Sequence, residues 1–186
     1  MNNDNLSIYN NLVKLTRNKY LYLNLNDNET FSDRLIFLLI HLSFFLKIYK
    51  TSNSKIKMQE IHDFIFKQIE LSIREIGYGD VSINKNMKKY LNYFYDIINN
   101  INIWDDIDEK QKELILNKFI NKPKNISFFT NYFDKLCSFY KKNTLNYFIK
   151  DIEEFKFLLW PYHNVKLHLR ELEKEDLILK FHQKIL

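Results

Sequence analysis

The imidazole and thiol side chains in this chain, which are the usual ligands of transition metals, are five histidines and one cysteine. The histidines are His41, His62, His163, His168 and His182. No two of them stand four residues apart, the spacing that places two imidazoles on one face of a helix. Cys137 has no second thiol with which to form a disulfide or a metal site. We therefore expect no metal and no internal disulfide, and a single thiol fits a reducing compartment.

The arrangements of nucleophilic and phosphate-binding enzymes are also missing from the sequence. Gly77-Tyr78-Gly79 follows a helical pattern rather than a strand and lacks the third glycine of a dinucleotide-binding loop. Cys137 lies on the apolar stripe of a helix, which favours a buried, inert thiol over a nucleophile. No Ser-His-Asp or paired-carboxylate spacing is recognisable. The sequence therefore predicts a protein that is not an enzyme and needs no cofactor.

His41 is the histidine that is hardest to interpret, because it interrupts the most apolar segment of the chain. The favoured interpretation is a core histidine that is hydrogen-bonded to a neighbour, since an unpaired buried imidazole is costly. The alternative is a histidine that orients the segment around the two glycines.

Composition predicts the fold class. With 46% hydrophobic and 16% aromatic residues but only 2 glycines and 2 prolines, the chain has the material for a core and too few turn residues for a β-rich fold. A net charge of +5 is compatible with ribosomal RNA, anionic lipid or an acidic partner. Alanine is absent and Asn, Lys and Ile are abundant, which is typical of an A+T-rich genome and accounts for part of this charge.

The N-terminus and the longest apolar segment bear on localisation. Residues 1–5 have neither the basic and apolar regions of a secretory signal nor the arginines of an organelle presequence. The apolar segment of residues 35–46 is shorter than the roughly 20 residues that span a bilayer, so we expect a buried helix there. These patterns predict a cytoplasmic protein and a complete chain.

The periodicity of apolar residues predicts an all-α protein of six to seven helices in one domain. This domain covers residues 1–160, and residues 161–186 form a C-terminal extension of unknown role. The predicted helices lie within residues 6–23, 35–46, 55–76, 82–100, 105–122, 126–142 and 144–160. Residues 24–30 read as a polar loop, and Thr144 reads as the cap of the last helix.

Two of these helices are amphipathic, and their inward residues follow from the spacing. In the helix of residues 55–76 the predicted inward stripe is Met58, Ile61, Ile65, Ile69, Ser72 and Ile76. In the helix of residues 82–100 and the residue that follows it, the predicted inward stripe is Met87, Leu91, Phe94, Ile98 and Ile101. Asp63 with Lys67, and Glu70 with Arg74, are predicted ion pairs at i,i+4.

Gly77 and Gly79 stand between these two helices and predict a sharp corner, because glycine reaches positive φ without steric cost. With Ser82 as the cap of the second helix, Lys85, Lys88 and Lys89 lie near its N-terminus. Cations there oppose the helix dipole at a cost of about 0.3 to 1 kcal/mol each. Either this placement reflects a functional basic surface, or it follows from the lysine-rich composition.

Two segments resemble the ubiquinol-cytochrome c chaperone family, helical assembly factors of respiratory complex III. The first, residues 31–42, has Phe31 and Arg34 in a Phe-x-x-Arg pattern, followed by apolar residues and His41 with a leucine. The second, residues 66–95, contains the run Arg-Glu-Ile-Gly-Tyr-Gly-Asp from Arg74 to Asp80 and then a group of lysines. The resemblance extends over about residues 10–155. It departs from the family pattern at Asn84, Asn86 and Asp96, where Gly, Arg and Gly are usual.

The resemblance implies a non-catalytic role. Members of the family bind newly made cytochrome b and hold it until haem insertion and assembly. It implies a client- or partner-binding surface made of Arg34, His41, Arg74, Glu75, Gly77, Tyr78, Gly79, Asp80, Lys85, Met87, Lys88 and Lys89. The implied partners are nascent or unassembled cytochrome b, a small helical partner protein, the ribosome and the surface of the inner membrane. The implied location is the cytoplasmic face of that membrane, or its matrix side in an organelle, with no role for DNA.

The sequence therefore supports two candidate functions. The first is an assembly chaperone for cytochrome b, for which an apolar client helix needs an apolar groove with a basic rim. The second is a basic helical module that binds RNA or ribosomes.

Overall fold

A computed structural model describes residues 3–27, 30–51, 54–77 and 79–150, and in these residues the chain forms eight α-helices. They are α1 (Asn3–Thr16), α2 (Lys19–Leu23), α3 (Phe31–Tyr49), α4 (Lys55–Glu75), α5 (Asp80–Asn102), α6 (Glu109–Phe119), α7 (Ile126–Lys142) and α8 (Leu145–Ile149). Within these ranges no strand is formed, and the only β-type pairing is an isolated bridge between Leu25 and Pro123. The predicted all-α class is confirmed.

The central helix of the fold is α3, which packs against α1, α5 and α7. Thr30 begins it with a capping box: its hydroxyl accepts the Asp33 N–H, and Asp33 accepts the Thr30 N–H at 2.9 Å. This cap starts the helix four residues before the predicted position. Every residue from Phe37 to Leu46 is buried, which confirms the prediction of a core helix.

Aromatic rings join α3 to α7. Phe37 stacks on Phe129 with ring centroids 5.6 Å apart, and Phe44 stacks on Phe133 at 5.4 Å. Trp104 meets the edge of Phe44 at 5.1 Å. The bounds of α7 are those predicted, and its apolar stripe is buried as expected. These ring contacts fix the position of the segment that carries the first family motif.

The N-terminal helix is attached to the end of the described chain. The side chain of Asn11 on α1 donates a 2.6 Å hydrogen bond to the carbonyl of Phe148 on α8. Thr144 caps α8 as predicted, through a bond from the Tyr147 N–H. The rest of the helix predicted up to residue 160, the domain boundary after it and the extension of residues 161–186 lie outside the described residues.

The inward stripe of α4 differs from the prediction at its C-terminal end. Ile73 is buried, whereas Ile76 is 51% exposed and Ser72 is half-buried. The helix ends at Glu75, so Ile76 no longer follows the helical spacing. One predicted ion pair is also replaced, because Asp63 accepts hydrogen bonds from the side chains of Gln59 and His62 instead of pairing with Lys67.

The start of α5 is also different from the prediction. Gly79 is the N-cap and Asp80 the first residue, so Ser82 lies inside the helix. The buried residues are Ile83, Tyr90, Phe94, Ile97 and Ile101. The predicted positions Met87, Leu91 and Ile98 are half-buried, because the buried face follows Ile83, Tyr90, Phe94, Ile97 and Ile101 and these three residues lie at its edge.

Of the acidic group after Trp104 that was predicted to begin a helix, Asp108 and Glu109 do so, whereas Asp105 and Asp106 precede it. Asp108 caps α6 through a capping box with Gln111, and Asp105 lies in the preceding turn. The carboxylate of Asp105 is instead 3.1 Å from the Lys47 ammonium and 2.8 Å from that of Lys141. It therefore links α3 and α7 through the turn before α6.

None of the helices in the described part of the chain combines the length and the apolar composition needed to cross a membrane.

Candidate functional site

The corner between α4 and α5, residues 74–81, needs glycine at one position only. Gly77 has φ of +94°, and its N–H bonds to the carbonyl of Arg74 at 2.9 Å, which ends α4. Gly79 has φ of −69° and ψ of 157°, an extended conformation that other residues adopt readily. The predicted corner is therefore present, but positive φ is required at Gly77 alone. Tyr78 lies outside the described residues.

Arg74 connects the two helices across the corner. Its Nη1 lies 2.7 Å from Oδ1 of Asp80, and its Nη2 lies 2.8 Å from Oε1 of Glu70. The hydrogen bonds to Glu70 and to Asp80 raise the pKa of the Arg74 guanidinium. The sequence predicted the pair within α4 but missed Asp80, because an arginine six residues away is in reach only once the chain turns. Glu75, the last residue of α4, is exposed.

Two aliphatic side chains of the corner are open to solvent. Val81 is 86% exposed and Ile76 is 51% exposed. Single exposed aliphatics are common on protein surfaces, but these two flank the glycine turn that Arg74 holds in place. Sequence reasoning missed both, since Ile76 was predicted to point inward and Val81 was not singled out.

The three lysines of the second motif are exposed on α5, but they do not lie at its start. Because α5 begins at Asp80, Lys85, Lys88 and Lys89 come after the first turn, where the effect of the dipole has faded. The interpretation of these lysines as charges placed against the helix dipole is therefore wrong. The Lys89 ammonium lies 5.7 Å from the ring centre of Tyr93, and Met87 is half-buried beside this surface.

His41 lies in the core rather than on a surface. It is 0% exposed, with Nδ1 2.6 Å from the carbonyl of Phe37 and Nε2 2.8 Å from the hydroxyl of Tyr132. A carbonyl can only accept, so Nδ1 carries the proton and the tyrosine donates to Nε2. Burial lowers the pKa of His41 to about 4. The core interpretation is confirmed, and the alternative of a contact toward the corner is wrong.

Cys137 is buried on α7 as predicted. Its sulfur lies 3.7 Å from the carboxylate of Asp105, and burial raises the pKa of the thiol. A raised pKa disfavours the thiolate, which is the reactive form. In the described residues no group of histidine, cysteine, aspartate and glutamate side chains is placed to hold a metal ion.

A groove of about 470 Å³ lies between α1, α2, α3 and α4. It is lined by Tyr9, Val13, Thr16, Arg17, Lys19, Tyr22, Phe31, Arg34, Leu35, Leu38, Ile69 and Ser72. Four of these, Phe31, Arg34, Leu35 and Leu38, belong to the first family segment, residues 31–42. The groove thus has apolar walls and a basic rim, although the lysines of α5 are not part of it.

The residues predicted for one shared surface are therefore distributed over three places. The corner brings together Arg74, Glu75, Gly77, Gly79 and Asp80, with the lysines of α5 beyond it. Arg34 lies at the groove, and His41 is in the core. Ser72, which lines the groove, lies three residues before the end of α4 at Glu75, or about 4.5 Å of helix.

Comparison with known families gives a match over the segment that contains α3, α4, the corner and α5. Residues 23–103 match the family described as ubiquinol-cytochrome C chaperone. The resemblance inferred from the two sequence motifs is confirmed over these residues. Comparisons with curated proteins and with solved structures found no match.

Proposed function

We propose, on the premise that residues 23–103 match the ubiquinol-cytochrome C chaperone family, that this protein binds newly synthesised cytochrome b and promotes its assembly into respiratory complex III. The family match is the observation that carries the proposal. It supports a role in complex III assembly, and a chaperone role is non-enzymatic. That the bound client is cytochrome b is a proposal that goes beyond this role in assembly.

The corner supports this proposal as the place of client contact. An unassembled membrane protein exposes apolar segments, and Val81 and Ile76 offer exposed aliphatic surface to them. The ion pairs of Arg74 with Glu70 and Asp80 hold that surface in one conformation before binding, which reduces the entropy lost on association. The resemblance extends the proposal to a small helical partner, the ribosome and peripheral contact with the inner membrane.

Site-specific photo-crosslinking tests the proposed contact. A photoreactive residue at Val81 is expected to crosslink cytochrome b when the protein is added to membranes that are translating it. The matched control is Leu114 on α6, which is 70% exposed and lies outside the residues that match the family. Equal labelling from both positions, or no cytochrome b at position 81, would contradict the proposed contact.

Deletion of the gene tests the role itself. We expect less assembled complex III and a weaker haem b absorbance, both restored by the unchanged gene and by Leu114→Asp. The double change Ile76→Asp with Val81→Asp is expected not to restore them, although its exposed positions leave the fold intact. An unchanged haem spectrum in the deletion strain would reject the assembly role.

The exposed lysines of α5 favour RNA as a second candidate ligand. Lys85, Lys88 and Lys89 are all exposed, and Tyr95 on the same helix is 54% exposed, so cations and an aromatic ring are open to a nucleic acid. Lys88→Glu with Lys89→Glu is expected to weaken binding of a ribosomal RNA fragment and to flatten its dependence on salt. Unchanged affinity would exclude RNA binding by this face of α5.

A further inference from the structure

The groove between α1, α2, α3 and α4 combines an apolar wall with a cluster of positive charge. Leu35, Leu38 and Ile69 form buried parts of its surface, and Val13 is half-buried against it. The family match does not account for the whole arrangement, because half of the lining residues, from Tyr9 to Tyr22, precede the matched residues 23–103.

The charged residues of the lining are all cations. Arg17 follows the end of α1, Lys19 begins α2 and Arg34 lies on α3, and no lining residue is acidic. Among the described residues, the Arg17 guanidinium makes no hydrogen bond or ion pair, and Lys19 lies over the ring of Tyr20 at 5.7 Å. Arg17 and Lys19, two residues apart at the rim, repel each other, and a bound anion would remove that cost.

The acidic residue next to Arg34 in the sequence is engaged in the cap of α3. Asp33 accepts at its Oδ2 the N–H of Thr30 at 2.9 Å and the Thr30 hydroxyl at 2.6 Å. Asp33 is 9% exposed, so its carboxylate serves the cap of α3. An anion in the groove would therefore meet positive charge at the rim.

The size of the groove argues for a small ligand. Its 470 Å³ lies in the range of about 300 to 1,000 Å³ that is usual for small-molecule sites. One turn of an α-helix, about 10 Å wide and 5.4 Å long, fills roughly 400 Å³. A helix that crosses a membrane has more than five turns, so the groove is too small for such a client.

We propose that the groove binds a single-chain amphiphile with a phosphate head. Its chain lies against Leu35, Leu38 and Ile69, and its phosphate lies at the rim with Arg17 and Lys19. A phosphate monoester carries about −1.5 to −2 charges at neutral pH, which matches several cations better than a carboxylate does. Guanidinium groups bind phosphate oxygens through two parallel hydrogen bonds. This site is independent of client contact at the corner.

Calorimetric titration of the full chain with dodecyl phosphate, below its micelle concentration, tests the proposal. Dodecyl phosphate is expected to bind at least tenfold more tightly than dodecyl maltoside, dodecyltrimethylammonium or inorganic phosphate. Equal binding of the maltoside would overturn the proposal in favour of a merely apolar surface. Equal binding of inorganic phosphate, or no binding of dodecyl phosphate, would also overturn it.

Variants locate the site. Arg17→Gln with Lys19→Gln is expected to reduce affinity for dodecyl phosphate at least tenfold and to leave maltoside binding unchanged. Lys88→Gln with Lys89→Gln removes the same charge from α5 and is expected to have less than a twofold effect. Retained affinity in the first variant would place binding elsewhere. A series from octyl to dodecyl phosphate tests the apolar wall without mutation: affinity should rise with chain length, and a flat series would reject the proposal.

Discussion

At the scale of single residues, the two glycines of the corner have different backbone conformations, and a serine substitution at each position distinguishes them. Gly77→Ser is expected to lower the free energy of unfolding by about 1 to 2 kcal/mol, because a side chain at φ of +94° is strained. Gly79→Ser is expected to raise it by a few tenths of a kcal/mol, since serine is a good N-cap in an extended conformation. Urea unfolding of both variants measures the difference.

Steric clashes do not contribute to the difference in stability between the two variants. Apart from the adjacent residues of the chain, no atom lies within 4 Å of a Cβ at either glycine, so the expected loss at Gly77 comes from the backbone conformation. Equal effects of the two substitutions would mean that the corner does not have the described backbone geometry.

His41 gives a prediction of pH dependence. Burial lowers its pKa to about 4 in the folded protein, against 6.5 in an unfolded chain. Between these two values the unfolded state binds more protons, so the stability contributed by neutral His41 is present above pH 6.5 and is lost as the pH falls toward 4. The expected loss is about 1.4 kcal/mol per pH unit in this window.

The control for this pH dependence is His41→Gln, which removes the titrating group but keeps a polar side chain. Denaturant unfolding at pH 7 and at pH 4.5 is expected to show a larger drop for the unchanged protein than for the variant. Parallel stability curves would mean that His41 is accessible to protons in the folded state.

At the scale of elements, Asp105 joins α3 to α7 through Lys47 and Lys141. Burial alone would raise the pKa of Asp105, but the hydrogen bonds from Lys141 and Lys47 outweigh it and hold the pKa below its usual value. Asp105→Asn is expected to reduce the free energy of unfolding by about 0.5 to 1 kcal/mol at neutral pH.

The exposed neighbour Asp106 provides a matched control, because Asp106→Asn removes the same charge one residue away. Thermal unfolding at pH 7 is expected to separate the two variants, and the difference should shrink in acid as Asp105 becomes protonated. A loss of stability that is the same for both would attribute it to net charge instead of the link between α3 and α7.

The sequence predicted the helices best where strong caps and apolar stripes agree. The bounds of α7 and the burial of α3 follow from local patterns, and both are confirmed. The start of α5 was missed, because Ser82 is a better cap by residue type than Gly79, which caps without a side chain. The role of Asp105 was missed because its partners lie on helices that are distant in sequence.

The distance in sequence between partner residues also explains which candidate sites could be predicted. A glycine that requires positive φ leaves a signal in the sequence, and Gly77 was predicted from it. The groove leaves no local signal, because its lining residues come from α1, α2, α3 and α4 and form one surface only after these helices are packed. His41 was assigned to a surface by family position, although its place in an apolar run indicated the core.

At the scale of the whole molecule, the family match covers only part of the packed unit. Residues 23–103 contain α3, α4 and α5, whereas the rings that cover α3 on one side belong to α7. A fragment of residues 23–103 is therefore expected to lack cooperative thermal unfolding and to bind a hydrophobic dye. The segment Met1–Ile152, which forms a compact unit, is expected to unfold cooperatively.

Circular dichroism melting of the two fragments measures this difference. Cooperative unfolding of residues 23–103 alone would show that the matched segment is an independent domain and that α7 is dispensable for it. It would also allow client binding to be assayed on the matched segment by itself.

The burial of α3 has a consequence for the synthesis of the protein. Its last residue, Tyr49, leaves the ribosome 93 residues before Lys142 completes α7. At about 5 to 20 residues per second, the most apolar helix waits roughly 5 to 20 seconds for its covering partner. During that interval the nascent chain exposes a segment that is itself prone to aggregation. A protein proposed to protect another unfinished chain is therefore itself exposed to aggregation during its synthesis. We expect its yield to depend on the translation rate between α3 and α7.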